Sequence, residues 1–133
     1  MREIIHKDLS YRITGLCFKV HKKLGRFCRE KQYADELEKT FKENNLDNER
    51  EFALVDVNPE GPDGNRVDFY INKLILLDVK AKNYITKEDY FQMQRYLSAS
   101  KLELGLIVNF RDSHLKPKRI LNSAFHSGHS DNH

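Results

Sequence analysis

Three charged residues, Asp68, Asp78 and Lys80, interrupt the apolar segment at residues 67–81. The segment predicts two short strands around a turn, because turn formers separate two runs rich in β-branched and aromatic residues. Asp78 and Lys80 are two positions apart in the second strand, so their side chains leave the same face. A charge in so apolar a strand is costly unless it is paired, hydrogen-bonded or bound to a metal. The three residues therefore predict a polar functional site.

The spacing Asp68-x9-Asp78-x-Lys80 resembles the signature of the PD-(D/E)XK nucleases. In that superfamily two carboxylates hold a divalent metal and the lysine helps the attacking water. Val67 stands where the signature has proline, which is a common departure in the superfamily. Two other parts of the chain carry the same resemblance.

The first of these is the segment at residues 20–33, VHKKLGRFCREKQY. It resembles the motif that names the GxxExxY proteins, a branch of the same superfamily, and Glu30 and Tyr33 match its Glu and Tyr. Phe27 stands where the first glycine of the motif is expected, and Gly25 is the nearest residue that supplies such flexibility. The resemblance makes Glu30 a third acidic residue at the metal. Its position alone gives the plainer interpretation of a carboxylate that favours a helix dipole.

The second is the pair Gln92 and Tyr96, four residues apart on the helix predicted after Lys80. This spacing puts both side chains on one stripe of the helix, where they could be ordinary surface residues. The pair also resembles the Q-x-x-x-Y of recombination and repair nucleases in this superfamily, in which Gln and Tyr orient the site and the substrate. Residues 104–110, LGLIVNF, then predict a buried strand and resemble the family's L-G-L-L-I-N-F.

Hydrophobic periodicity and turn residues predict the elements that position these side chains. We expect Asp8 or Ser10 to cap the first helix and Gly25 to end it, and Thr86 with Asp89 to form a capping box on the third. The expected helices are 10–24, 29–44 and 87–100; the expected strands are 49–57, the hairpin 67–81, 104–110 and a short edge element at 115–121.

The register of the hairpin decides whether Asp68 and Asp78 can share a metal. A two-residue turn at Asn72 and Lys73 would pair Asp68 with Leu77, and the two carboxylates would then point to opposite faces. We therefore predict a three-residue connection centred on Asn72 or Lys73, or a bulge.

The order of elements matches the αβββαβ core of the restriction-endonuclease-like, or PD-(D/E)XK, fold, with an extra N-terminal helix. The resemblance implies this α/β class, with a central mixed sheet flanked by helices, and the periodicities independently allow it. We expect a single domain over residues 1–121 and a disordered polar tail over residues 122–133.

Composition excludes several other classes. No apolar run approaches the roughly 18 residues of a membrane span, and the N-terminus lacks a signal-like apolar block, so we expect a cytoplasmic protein without membrane contact. Cys17 and Cys28 have neither zinc-site spacing nor a disulfide framework, which favours reduced thiols. Basic flanks surround an acidic middle, a distribution that supports binding to phosphates only mildly.

The resemblance implies a metal-dependent nuclease that hydrolyses phosphodiester bonds in nucleic acid, with DNA favoured over RNA. The residues that it implies for catalysis are Glu30, Asp68, Asp78, Lys80, Gln92 and Tyr96. The implied ligands of Mg²⁺ or Mn²⁺ are the carboxylates of Glu30, Asp68 and Asp78 and the carbonyl of Val79. Basic residues expected to bind flanking phosphates are Lys82, Lys87 and Arg95.

Two other functions stay open at this point. The main alternative is a catalytically silent module on the same fold that binds nucleic acid or a protein partner and keeps the polar residues as a relic. The other is a structural or regulatory interaction protein with a sequestered site. The oligomeric state stays open, and the resemblance allows a homodimer, since small nucleases of this fold often dimerise to cut both strands.

Overall fold

The computed structural model describes residues 4–54 and 66–125. In chain order, the elements of these residues are α1 (Lys7–Leu24), α2 (Glu30–Glu43), β1 (Asn48–Ala53), β2 (Arg66–Ile71), β3 (Ile75–Lys80), α3 (Lys87–Ser100), β4 (Leu104–Asn109) and β5 (Lys118–Leu121).

The strands form one mixed sheet in the order β1-β2-β3-β4-β5. β3 and β4 are parallel, as expected for two strands joined through a helix, and the other neighbouring pairs are antiparallel. The α/β class, the central mixed sheet with flanking helices and the extra N-terminal helix are confirmed.

The side chains of β3 alternate between two apolar layers. Leu77 and Val79 pack with residues of α1 and α2, and Leu76 packs with Met93 and Leu97 of α3. Because alternate strand residues share a face, Asp78 belongs with Leu76 on the α3 side of the sheet. Every position of β4 is buried, as is usual for a central strand covered on both faces.

The predicted end of α1 is confirmed, whereas its predicted start is wrong. Gly25 ends the helix as predicted, with φ 77°, a left-handed value that glycine adopts without steric cost. The predicted N-caps are wrong, because the helix begins at Lys7 after His6, so that Asp8 lies in the first turn and Ser10 is buried inside the helix. The Ser10 hydroxyl donates to the Lys7 carbonyl instead of capping.

α3 begins with the predicted capping box. The Thr86 N–H donates to Oδ2 of Asp89 (2.7 Å), and the Asp89 N–H donates to the Thr86 hydroxyl (3.4 Å). The helix lies close to β4 at Gly105, since a Cβ at that position would be 2.4 Å from Sδ of Met93. The missing side chain of Gly105 therefore sets how near α3 approaches the sheet.

The remaining boundaries differ by a few residues. β5 begins at Lys118 and not at residue 115. The tail predicted from residue 122 is wrong for Asn122, which is buried and donates through Nδ2 to the carbonyls of Leu97 (3.0 Å) and Leu102 (2.9 Å). Residues 55–57 of the first predicted strand, the loop 58–65 and the tail residues 126–133 lie outside the described residues.

Both cysteines are free thiols, Cys17 buried and Cys28 half-buried. Within residues 4–54 and 66–125, none of the helices combines the length and the apolar character that crossing a bilayer requires.

Candidate active site

The β2–β3 hairpin has the connection that a shared site needs. Ile71 pairs with Ile75 and Phe69 with Leu77, so residues 72–74 form a three-residue connection, and one more step in this register would place Asp68 opposite Asp78. Of the predicted alternatives, the three-residue connection centred on Lys73 is confirmed. Asn72 and Lys73 both have left-handed φ values, 52° and 56°, which makes the tight reversal.

The two carboxylates are held by the backbone of the opposite strand. The N–H of Asp68 donates to Oδ1 of Asp78 (3.4 Å), and the N–H of Val79 donates to Oδ2 of Asp68 (2.6 Å). Asp78 is 4% exposed. The two carboxylates are therefore positioned by backbone N–H groups of the sheet.

The proximity of the two acids changes the protonation of Asp68. Burial is the larger cause and repulsion from Asp78 the next, and together they raise the pKa of Asp68 to about 7, although the hydrogen bond from the Val79 N–H acts in the opposite direction. Near neutral pH, negative charge at this pair is therefore only partly compensated by protein groups.

Lys80 lies between two buried acids. Its Nζ is 3.5 Å from Oδ2 of Asp78 and 3.8 Å from Oδ1 of Asp89. Burial by itself lowers the pKa of Lys80, but the surrounding carboxylates, Asp78 and Asp89 first, outweigh it and raise the pKa. The ammonium group is therefore directed into the site and not into bulk water.

Asp89 is a site residue that the sequence suggested only as a helix cap. It is 7% exposed, and its Oδ2 lies 2.6 Å from Nζ of Lys82. Burial alone would raise its pKa, but the hydrogen bonds from Lys82 and Thr86 outweigh burial and lower it. One carboxylate thus joins the start of α3 to both Lys80 and Lys82. The sequence did contain a signal for this contact. Asp89 lies in the first turn of the helix that follows Lys80 and Lys82, so an acid is placed near two lysines.

A cavity of about 380 Å³ brings together all six side chains that the resemblance implied for catalysis. Glu30 reaches it from the first position of α2, and Gln92 and Tyr96 reach it from α3. The described lining residues are Glu30, Glu51, Arg66, Val67, Asp68, Asp78, Lys80, Gln92 and Tyr96. The structure thus brings together residues far apart in the chain, and their catalytic roles stay a prediction.

Glu51 is a lining residue that the sequence did not single out. The β1–β2 register pairs Arg50 with Phe69 and Phe52 with Val67, which leaves Glu51 across from Asp68 with a left-handed φ of 53°. The alternation of β1 breaks there, since Arg50 packs toward α2 and Phe52 packs on the α3 side of the sheet. Such a backbone is costly for a residue other than glycine, which makes Glu51 a candidate for a functional position.

Arg66 was also missed. It lines the cavity and adds a positive charge to it. The basic residues that were singled out lie elsewhere: Lys82 is paired with Asp89, and Lys87 and Arg95 are exposed on α3. In the part of the chain that the structure describes, none of these three lines the cavity.

The acids fit a divalent cation in chemistry, but they are not gathered as a complete ligand set. Among the described residues, no group of three or more His, Cys, Asp or Glu side chains is close enough to hold a metal ion. Asp68 and Asp78 nevertheless present hard oxygen donors, and a cation between them would offset both the burial and the repulsion that raise the pKa of Asp68. We conclude that this pair fits such an ion and that Glu30 would have to move toward it.

A mixed sheet that presents two acids and a lysine beside a helix bearing Gln and Tyr defines a restriction-endonuclease-like protein. Residues 7–120 match the family model of the PD-(D/E)XK nuclease superfamily, and the chain belongs to that superfamily. Its members are generally nucleases. Comparison with curated proteins gave no match, and comparison with solved structures gave none.

Proposed function

We propose that the protein is a Mg²⁺- or Mn²⁺-dependent nuclease that hydrolyses phosphodiester bonds, with DNA as the favoured substrate. The observation that carries the proposal is the position of Lys80, whose Nζ lies 3.5 Å from Asp78 in the cavity that Asp68 also lines. Membership of a superfamily of nucleases supports it.

In this proposal Asp68, Asp78 and the Val79 carbonyl hold the ion, and Glu30 completes the set from the start of α2. The bound ion supplies charge neutralisation at the scissile phosphate and a more acidic water molecule. The buried strands contribute rigidity, because the hydrogen bonds from the Asp68 and Val79 N–H groups fix both carboxylates before substrate arrives.

Lys80 acts on the reacting atoms. Because the pKa of Lys80 is raised, its amine stays an ammonium group, which orients the attacking water and stabilises the negative charge that develops on the phosphate oxygens. Asp89 holds this group together with Asp78 and is a positioning residue. Gln92 and Tyr96 contact the substrate phosphate or orient Lys80.

Positive charge around the cavity binds the substrate backbone. Arg66 lines the cavity itself. Lys87 and Arg95 are exposed on α3 outside the cavity, and Lys82 is paired with Asp89. Each such contact adds to a salt-dependent affinity that does not distinguish base sequence.

Assignment to the GxxExxY branch is also part of the proposal. It is supported by Tyr33, whose hydroxyl donates to the Gly25 carbonyl (2.5 Å) and accepts from the Cys28 N–H (3.1 Å). In this way Tyr33 fixes the loop that leads into Glu30, which is a reason for Glu and Tyr to occur together in one motif.

The test incubates purified protein with single-stranded, duplex and branched DNA and with RNA, in Mg²⁺, Mn²⁺ or EDTA. We expect cleavage with either metal and none in EDTA. Binding without cleavage of any substrate would indicate the silent module on the same fold, and neither binding nor cleavage would indicate the interaction protein. Sedimentation of the same samples decides whether the active species is a homodimer.

A further inference from the structure

The loop between α1 and α2 exposes an aromatic ring beside the candidate active site. Phe27 is 76% exposed, although large apolar side chains are usually at least partly covered. It lies just before Arg29 and Glu30, the latter a residue of the cavity wall. The ring is therefore open to a ligand in the loop that leads into that wall.

Two arginines from different parts of the chain place their guanidinium groups over the ring. The guanidinium carbon of Arg26 lies 4.9 Å from the ring centroid of Phe27, and that of Arg111 lies 5.6 Å from it. Nε of Arg26 donates to the carbonyl of Arg111 (2.8 Å), and Nε of Arg111 donates to the carbonyl of Arg26 (2.9 Å). Each bond occupies one of the five N–H donors of its guanidinium group.

The loop that carries the ring is held in one conformation. The Tyr33 hydroxyl joins Gly25 to Cys28 across the loop, and the Tyr33 ring stacks on Phe110 with centroids 4.4 Å apart. A surface that is ordered before binding loses little entropy when a ligand arrives.

The same surface is tied to the strand that carries Lys80. The N–H of Phe110 donates to the Lys80 carbonyl (2.8 Å), and Arg111 follows directly. Oδ1 of Asn109 accepts from the N–H groups of Arg111 (3.2 Å) and Lys82 (3.1 Å). The ring and its arginines therefore lie at the same end of β3 and β4 as the proposed catalytic lysine.

We propose that Phe27, Arg26 and Arg111 form a stacking platform for an unpaired base of the nucleic acid that occupies the cavity. The part of the Phe27 ring that the two guanidinium groups leave exposed meets the face of a base, and the guanidinium groups meet the phosphates beside it, which is the composition of single-strand binding surfaces. In a continuous duplex the faces of the bases are already stacked on each other. The platform therefore selects single-stranded, frayed or branched nucleic acid, and in this respect it rests on the proposed nuclease function.

The absence of tryptophan from the chain allows a direct test. The Phe27→Trp variant carries a single fluorescent indole, which a stacked base quenches. Titration with a single-stranded oligonucleotide in EDTA should give saturable quenching, and a blunt duplex should give little. The matched control is Tyr11→Trp, since Tyr11 is 81% exposed on α1 and lies about 21 Å along the helix axis from Gly25. Its fluorescence should not change.

Two further substitutions separate stacking from general apolar contact. Phe27→Ala should weaken single-strand binding by roughly fivefold to a hundredfold and leave duplex binding unchanged. Phe27→Leu keeps the apolar bulk without the ring and should behave like Phe27→Ala, whereas Phe27→Tyr should restore binding.

The outcomes distinguish the platform from the nuclease. Metal-dependent cleavage together with unquenched fluorescence and unchanged affinity in Phe27→Ala overturns the platform and leaves the nuclease standing. Equal binding by the leucine variant and the parent protein overturns stacking in the same way. Absence of nucleic-acid binding and of cleavage by the parent protein overturns both.

Discussion

The N–H of Asp68 donates to a carboxylate oxygen of Asp78, and the N–H that follows Asp78 donates to a carboxylate oxygen of Asp68. Each acid is thus held by the backbone of the strand that carries the other. Because backbone groups do the holding, the pair should keep its geometry when other residues of the cavity are changed. The site can therefore be tested one residue at a time.

Asp78→Ala should abolish metal-dependent cleavage, because it removes one of the proposed ligands of the metal ion. Circular dichroism should show an unchanged fold. The matched control is Asp8→Ala, at an exposed carboxylate in the first turn of α1, which should cleave like the parent protein. Undiminished cleavage by Asp78→Ala would remove this residue from the site.

Asp89→Asn should lower kcat about tenfold to a hundredfold with little change in KM, because Lys80 loses one of the two charges that hold its ammonium group. Thr86→Ala is the control, since it removes the other half of the same capping box and leaves the contacts of Asp89 with Lys80 and Lys82 in place. It should cost about 1 kcal/mol of stability and little activity. An equal loss of kcat in both variants would assign the effect to the helix end alone.

The metal-free protein should become less stable as pH rises from about 4 to about 7, through Asp68. The pKa of Asp68 is higher in the folded state than in the unfolded state, so folding takes up a proton in this window. Above the pKa that Asp68 has in the folded protein, the free energy of unfolding has lost its full contribution from this proton, at most about 4 kcal/mol.

Asp68→Asn tests this pH dependence in EDTA, because the amide carries no charge and its oxygen can still accept from the Val79 N–H. Denaturant unfolding should show the variant to be more stable than the parent at pH 8 and nearly equal to it at pH 4. A stability difference that does not change with pH would contradict the assignment.

Addition of Mg²⁺ or Mn²⁺ should raise the Tm of the parent protein, because the ion binds the folded acid pair and not the unfolded chain. An ion at a hundred times its Kd contributes about 2.7 kcal/mol. The increase should be absent in Asp78→Ala. Glu30→Gln should reduce the increase in Tm only if Glu30 moves toward the ion and binds it. The variant therefore tests whether Glu30 joins the two aspartates when the metal binds.

Gly105→Ala should destabilise the protein by about 1–3 kcal/mol, because the new Cβ would overlap Met93 under α3. Cleavage should fall as well, since the displaced helix carries Gln92 and Tyr96. The double variant Gly105→Ala/Met93→Ala should recover part of the cleavage by making room for the methyl group. A double variant no more active than Gly105→Ala would show that Met93 itself, and not the distance to the sheet, positions the helix.

Local patterns were sufficient for much of the fold. The span of α3 and its capping box, the end of α1 at Gly25 and the three-residue hairpin connection follow from propensities and turn chemistry that act over a few residues. The start of α1 and the placement of Asn122 could not be predicted, because both depend on contacts with residues distant in the chain. Propensity does not report such contacts.

The sequence by itself determined the identity and order of the acids, the lysine and the Gln–Tyr pair, because a charge in an apolar strand is costly and so is informative wherever it occurs. Only the tertiary structure decided that Glu51 lies across from Asp68, that Asp89 contacts Lys80 and that Arg111 reaches Phe27. These relationships arise from strand pairing, a left-handed residue and the packing of α3. They join segments that have no spacing rule between them, and so no pattern along the chain could have shown them.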